Sequence, residues 1–206
     1  MHPLKHSMTS GMSLLEMLVA LAIITALAAC LKPAIEGIMV GYRSTQCVSK
    51  LKQLHQAFAL YSMENNGKIP AYRTWNEKGE GGPSWSTVIK PYLMPDASTA
   101  IYNKYLLCPA EEKLADNHYA MNYEIGSGIY LSEVTLPSQC FFIGDGNGTA
   151  RITPAKVSTE AKFRHSAERM NILFFDGHVA ARALSEIPAY ANRTSAEYKT
   201  FWLGSQ

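Results

Sequence analysis

The apolar residues are distributed unevenly along the chain. Residues 17–31 are apolar and carry no charge, and Glu16 stands at the entrance of this run. The run is near the short limit for a membrane-spanning helix and becomes long enough when residues 12–15 are included. A carboxylate that enters a bilayer unpaired costs about 2.5–3.5 kcal/mol, so Glu16 requires a partner. Lys5 precedes the run and no comparable basic cluster follows it, which favours a cytoplasmic N-terminus.

Helical periodicity continues beyond the apolar run. Residues 34–64 contain no proline, and residues 65–67 supply a helix stop. The pattern predicts one helix of about 50 residues, about 75 Å long at 1.5 Å per residue, whose second half packs on a domain. Its buried stripe runs through Val48, Leu51, Leu54, Phe58, Tyr61 and Ser62, with Ala57 and Leu60 alongside it.

Strand and turn signals after the helix predict a small domain, which makes the fold class α+β. A short helix is expected within residues 84–93, a buried strand over 139–144 followed by a turn at 145–148, and a last short helix over 195–203. Asp176 and Gly177 lie between two apolar runs, which predicts a β-hairpin with a two-residue type I′ turn.

Charge and cysteine content exclude some classes of function. The net charge of +2, from 19 basic and 17 acidic residues, argues against an extended nucleic-acid surface. The four cysteines, Cys30, Cys47, Cys108 and Cys140, form no CxxC pair, which argues against a zinc knuckle. If the domain is exported, Cys47 with Cys108 is the favoured disulfide. Three exported cysteines allow three pairings, however, and free thiols are an equal alternative.

Weak metal-site candidates remain. Two histidines and one aspartate, His165, His178 and Asp176, are a legitimate set of metal ligands. The hairpin turn, however, already explains the presence of Asp176. Asp145 begins a segment, 145–148, that resembles part of a calcium loop but lacks the spaced acid and the closing glutamate. No pattern resembles an enzyme active site. We therefore predict no catalytic residues and no cofactor, with calcium as the alternative.

The N-terminal segment fits four interpretations. Residues 26–28 fit the cleavage pattern of a secretory signal peptide, and residues 27–30 have the form of a lipoprotein signal that ends at Cys30. A plain transmembrane anchor is the third interpretation. All three leave Glu16 unexplained, because neither a signal sequence nor a spanning helix gains from an acid near its start.

The fourth interpretation accounts for the acid. Residues 11–16, Gly-Met-Ser-Leu-Leu-Glu, resemble the leader junction of type IV prepilins and pseudopilins, although phenylalanine is commoner than methionine after the cut. The resemblance implies cleavage after Gly11, N-methylation of Met12, and pairing of Glu16 with the N-terminal amine of a neighbouring subunit. Pro33 is residue 22 counted from Met12, where pilins often carry a helix-bending proline.

Later segments extend this resemblance to the pseudopilin-like proteins of type II secretion. They are the helix around Cys47, the Cys-Pro pair at Cys108, and the Tyr-x-Met-Asn pattern at 119–122. His165 and the Asp176–Gly177 pair are similar to the prepilin-associated motif H-x9-DG, but ten residues separate them here, so the position of His165 against the hairpin is open.

The resemblance implies a pilin-like fold, in which a long helix packs on a small antiparallel sheet. Its expected parts are a leader (1–11), a transmembrane and polymerisation helix (12–34), an exported half-helix (35–66) and a globular domain (67–206). The implied partners are other pilin subunits, the prepilin peptidase, an inner-membrane assembly platform and lipid, but no nucleic acid. The implied location is the inner membrane, with an extracytoplasmic domain that joins a filament. The alternative function is an anchored or lipidated ligand- or metal-binding domain.

Overall fold

The structure is a computed structural model that describes residues 13–75, 81–111, 117–126 and 128–205, without the side chains of residues 33–34 and 74–75. The predicted leader, the cleavage and methylation sites at Gly11 and Met12, and the side chain of Pro33 lie outside the described residues. The chain divides into two compact units, Met1–Gly41 and Tyr42–Gln206.

The first element is the long helix α1, Leu14–Glu64, whose 51 residues confirm the predicted length. It ends where the turn residues predicted a stop. Asn66 and Gly67 both have positive φ, 56° and 81°, and the Gly67 N–H donates to the Ser62 carbonyl over 2.8 Å. Within the described residues, α1 is the one helix long and apolar enough to cross a membrane, judged by length and composition.

The second half of α1 buries one face in the domain. Leu51, Leu54, Ala57 and Phe58 are all at most 2% exposed, which confirms the predicted stripe at these positions. Of the two residues expected alongside the stripe, Ala57 is buried with it, whereas Leu60 is 50% exposed. Apolar periodicity alone does not show where the buried face of the helix ends, so the exposure of Leu60 was not predictable from the pattern.

The remaining elements belong to the second unit. A two-stranded ribbon, β1 (Arg73–Trp75) and β2 (Gly81–Ser84), precedes α2 (Trp85–Leu93) and α3 (Thr99–Tyr105). The main sheet contains β3 (Tyr119–Asn122), β4 (Phe141–Asp145), β5 (Arg151–Ile152), β6 (Arg169–Phe174) and β7 (Val179–Ala183). The short helices are α4 (Val157–Glu160) and α5 (Ala196–Tyr198), and α5 continues as a π-helical turn, Lys199–Leu203. The helix within 84–93 and the strand at 139–144 are thus confirmed.

The main sheet is mixed, so the prediction of an antiparallel sheet was wrong for one pair of strands. The order is β5-β3-β4-β6-β7, and only β5 runs parallel to its neighbour, β3. The chain reverses after β4 and then crosses to the far side of β3, which gives β5 the direction of β3. The fold class is therefore α+β, with a long apolar N-terminal helix and a small mixed sheet.

The two faces of the sheet cover two apolar cores. On one face Phe142 of β4 meets Phe58 of α1, with ring centroids 4.7 Å apart. On the other face Phe141 contacts Trp202 of the C-terminal helical segment, with ring centroids 5.4 Å apart. The alternation of side chains along β4 therefore joins α1 and the C-terminal segment to opposite faces of one sheet.

Candidate functional site

Glu16 has a local partner in the first turn of α1. The Ser13 backbone N–H donates to Glu16 Oε2 over 2.8 Å, and the Glu16 N–H donates to Ser13 Oγ over 3.2 Å. This is a reciprocal capping box, which satisfies two backbone donors that the helix start would otherwise leave unpaired. The Ser-x-x-Glu pattern of residues 13–16 is the local sequence signal for this box, and the predictions from the sequence did not include it.

The N-terminal half of α1, residues 14–41, presents an apolar surface. Every large apolar side chain described from Leu14 to Val40 is between 43% and 80% exposed. The Thr25 hydroxyl lies within hydrogen-bonding distance of the Leu21 and Ala22 carbonyls, at 3.0 and 2.9 Å, so it has acceptors within its own helix. An apolar helix whose polar groups are satisfied internally suits a hydrocarbon environment or a bundle of like helices.

A disulfide joins α1 to the segment that follows α3. Its half-cystines are Cys47 and Cys108, the pair favoured from the sequence, with Cα atoms 5.7 Å apart. Both residues are at most 1% exposed. Cys140 is a buried free thiol and Cys30 an exposed one. Burial raises the pKa of Cys140 to about 12.

A buried aspartate–histidine pair lies beside this disulfide. His165 Nε2 is 2.9 Å from Asp145 Oδ2, and the two side chains are 4% and 0% exposed. The same carboxylate oxygen accepts the Asn171 backbone N–H over 2.6 Å. A buried carboxylate needs such donors, because an unpaired buried charge is strongly destabilising.

Local backbone geometry places His165 in this pair. Asp145 is the last residue of β4, and His165 forms an antiparallel bridge with Arg169 at the start of β6. The intervening turn contains Ala167 and Glu168, both with positive φ. After this compact turn the His165 imidazole meets Asp145 at the end of β4.

Arg164 adds a partly buried positive charge near Asp145. Its Nη2 donates to the Gly146 carbonyl. Burial lowers the pKa of this guanidinium, while the charge of Asp145 acts in the opposite direction. Tyr119 lies in the same region, and its pKa is raised well above the ordinary value, first by burial and then by the charge of Asp145.

Together Cys47, Cys108, Asp145 and His165 form what we call the Cys–His–Asp cluster. One potential ligand atom from each residue lies within 4.8 Å of the others, and Cys108 Sγ is 3.9 Å from His165 Nε2. Because these residues are far apart in sequence, no local spacing indicated the cluster. In the disulfide form the sulfurs are not thiolates, so only the imidazole and the carboxylate have ordinary metal-ligand chemistry.

The Asp176–Gly177 turn differs from the predicted type. Gly177 has a φ of 90°, whereas Asp176 has no positive φ, so a type I′ turn, which needs both, was wrong. Hydrogen bonds from Gly177 N to Phe174 O and from Phe174 N to His178 O close a three-residue loop instead. Gly177 also lies against His55 of α1, since a Cβ there would be 2.9 Å from the imidazole.

Asp176 and His178 form a separate, partly exposed pair at this turn. Asp176 Oδ1 lies 2.6 Å from His178 Nδ1 and accepts the His178 backbone N–H over 3.0 Å. Partial burial opposes ionisation, but the hydrogen bonds from His178 outweigh it and hold the pKa of Asp176 below its ordinary value. Asp176 and His178 therefore act at the turn, whereas His165 joins Asp145.

The expected turn at 145–148 begins one residue later than predicted, because Asp145 belongs to β4. Its carboxylate is directed towards Asn171 and His165. Calcium binding at this loop therefore stays a prediction, and the first acid of the loop, Asp145, already bonds to other groups.

Comparisons with protein-family models, with curated proteins and with solved structures found no match to the chain.

Proposed function

We propose that this protein is a structural pseudopilin or minor pilin subunit, which a prepilin peptidase processes and which assembles into a type II secretion or type IV pilus-like filament. The observation that carries the proposal is the division of α1 into two chemically different halves. Residues 14–41 expose apolar side chains, whereas the same helix buries Leu51, Leu54 and Phe58 in the domain. A single helix that is both apolar anchor and domain scaffold suits such a subunit.

Glu16 supports the proposal through its charge and its position. The proposed cleavage after Gly11 creates a free amine on Met12, four residues before Glu16. In the assembled filament the Glu16 carboxylate of one subunit neutralises the amine of a neighbour. Each charge alone would be costly in hydrocarbon, and the pair is less so. The capping box with Ser13 holds the carboxylate at the helix start, where this pairing requires it.

Three variants separate the capping role of Glu16 from its assembly role. Glu16→Gln keeps a residue that can complete the capping box but removes the charge. Ser13→Ala removes one capping bond and keeps the charge, and Glu16→Ala removes both functions of the glutamate. Each variant is produced in cells with the prepilin peptidase and the assembly machinery, and processing, membrane insertion and filament incorporation are measured separately.

We expect all three variants to insert and to be processed. Both Glu16 variants should fail to enter filaments, while Ser13→Ala should assemble close to the level of the unaltered chain. Normal assembly of Glu16→Gln would contradict the charge-pairing argument. Failure of Ser13→Ala together with normal assembly of Glu16→Gln would show that only the cap matters.

The alternative is an anchored or lipidated domain that binds a ligand or metal, and the buried Cys–His–Asp cluster is the observation that favours it. The lipidated version requires cleavage before Cys30, which lies within α1. Lipid attached at Cys30 of the mature chain would support this alternative and would exclude filament assembly through Glu16.

A further inference from the structure

The Cys–His–Asp cluster has no part in the proposed assembly role, yet its composition is that of a metal site. Two sulfurs, one imidazole nitrogen and one carboxylate oxygen lie within 4.8 Å of one another. All four residues are at most 8% exposed. Zinc binds cysteine thiolate, histidine and aspartate in closed tetrahedral sites, with bonds of about 2.0–2.3 Å.

The distances within the cluster are close to those of such a site. Ligand atoms of tetrahedral zinc are about 3–4 Å apart, as follows from those bond lengths. His165 Nε2 is 2.9 Å from Asp145 Oδ2 and 3.9 Å from Cys108 Sγ. The sulfurs of Cys47 and Cys108 are too close together for two zinc ligands, because they are covalently bonded. Reduction of the disulfide removes this obstacle.

We propose that, once the Cys47–Cys108 disulfide is reduced, the cluster binds one zinc ion through both sulfurs, His165 Nε2 and the Asp145 carboxylate. A phosphine reductant supplies the two electrons that break the S–S bond. Water gives its oxygen to the resulting phosphine oxide and its two protons to the sulfurs. Zinc then displaces both thiol protons to solvent. When zinc binds His165 Nε2, the hydrogen bond from this nitrogen to Asp145 is broken. In the zinc form the imidazole proton lies on Nδ1.

Neighbouring groups suit the charge of the bound state. Two thiolates and the Asp145 carboxylate exceed the charge of a divalent cation by one negative charge, which the partly buried Arg164 guanidinium offsets. The Asn171 N–H orients the carboxylate by donating to Oδ2 over 2.6 Å. Hydrogen bonds of this kind to metal ligands fix their orientation and contribute to metal affinity.

Zinc and the disulfide would hold the same parts of the domain together. Cys47 lies on α1, Cys108 follows α3, Asp145 ends β4 and His165 precedes β6. The oxidised chain joins the first two directly, and the zinc form would join all four. The domain would thereby keep a cross-link to α1 in both redox states, whether or not the chain assembles into filaments.

The test uses the full chain in detergent without a polyhistidine tag. Phosphine-reduced and oxidised samples are titrated with Zn²⁺, the bound metal is counted by mass spectrometry, and Co²⁺ serves as a spectroscopic substitute. His165→Gln and Asp145→Asn remove cluster ligands. His178→Gln and Asp176→Asn are matched controls in the other aspartate–histidine pair, which is partly exposed.

We expect one zinc per reduced chain, none per oxidised chain, and thiolate-to-cobalt charge-transfer bands in the reduced Co²⁺ form. Because loss of an outer hydrogen-bond partner alone weakens metal binding 10–100-fold, loss of a ligand should weaken it by at least about 100-fold. The matched controls should bind zinc as the unaltered chain does. Equal zinc uptake by oxidised and reduced chains, or cobalt binding without thiolate bands, would overturn the proposal.

The test still decides if the cluster variants fail to fold, because the reduced and oxidised forms of the unaltered chain can be compared with each other. Zinc should raise the unfolding temperature of the reduced chain and leave that of the oxidised chain unchanged. No zinc-dependent shift in the reduced chain would contradict the proposal.

Discussion

Reduction of the Cys47–Cys108 disulfide should destabilise the domain by about 4 kcal/mol. The two half-cystines are 61 residues apart in sequence. Closing a loop of that length lowers the conformational entropy of the unfolded chain, which raises the free energy of the unfolded state by about 4 kcal/mol. The effect is large against a total stability of about 5–15 kcal/mol for an ordinary domain. The reduced domain should therefore remain folded at room temperature only if the oxidised domain is stable by more than this amount.

The assay is urea unfolding of the full chain in detergent, followed by tryptophan fluorescence. Trp85 and Trp202 are 0% exposed and pack in the two cores on opposite faces of the sheet, so both report loss of the domain. A chelator is present throughout, so that zinc cannot replace the disulfide. The double variant Cys47→Ala, Cys108→Ala, measured with and without reductant, controls for effects of the reductant on other groups.

The reasoning predicts a lower urea midpoint on reduction of the unaltered chain, and no response of the double variant to reductant. A loss below about 1 kcal/mol would refute it. Such a result would mean that the unfolded chain already holds these two segments together, or that the oxidised native state carries a compensating cost.

Two further predictions concern single positions. Gly67 and Gly177 both have positive φ, but only at Gly177 would a Cβ meet a neighbouring side chain, the ring of His55. Gly67→Ala should therefore cost about 1–2 kcal/mol in urea unfolding and Gly177→Ala more, and equal losses would contradict the docking of the hairpin on α1. N-ethylmaleimide at pH 8 should reach Cys140 only after the chain is unfolded, because burial shields that thiol and raises its pKa to about 12. Labelling of Cys140 at equal rates in the folded and the unfolded chain would contradict this burial.

The helix α1 was predictable because its signals are local. Apolar side chains at helical spacing and the turn residues after Glu64 lie within the segment itself, and they specified both its length and its end. The position of the β6–β7 hairpin was predictable for the same reason. Its turn type was not, because a hairpin loop of two or three residues can carry the same Asp-Gly pair.

The mixed sheet was not predictable from periodicity. The strand β5 has only two residues, Arg151 and Ile152, which is too short for an alternating pattern. Its parallel pairing with β3 depends on the path of the chain after β4, and that path is fixed by packing rather than by a local sequence signal.

The two candidate sites differ in the same way. Glu16 was predictable as a site because an acid beside an apolar run stands out in the linear sequence, and Ser13, which caps it, lies only three residues away. The Cys–His–Asp cluster gathers residues from α1, the segment after α3, the end of β4 and the turn before β6. Tertiary packing decides that His165 pairs with Asp145 and that His178 pairs with Asp176, so these pairings could not be predicted from residue spacing.

The most direct test of the proposed function is the chemical identity of the mature N-terminus. The chain is isolated from the membranes of cells with an active prepilin peptidase, and its N-terminal peptide is analysed by mass spectrometry. The account predicts a chain that begins at an N-methylated Met12. A chain that still begins at Met1, or one that begins at a lipidated Cys30, would contradict it.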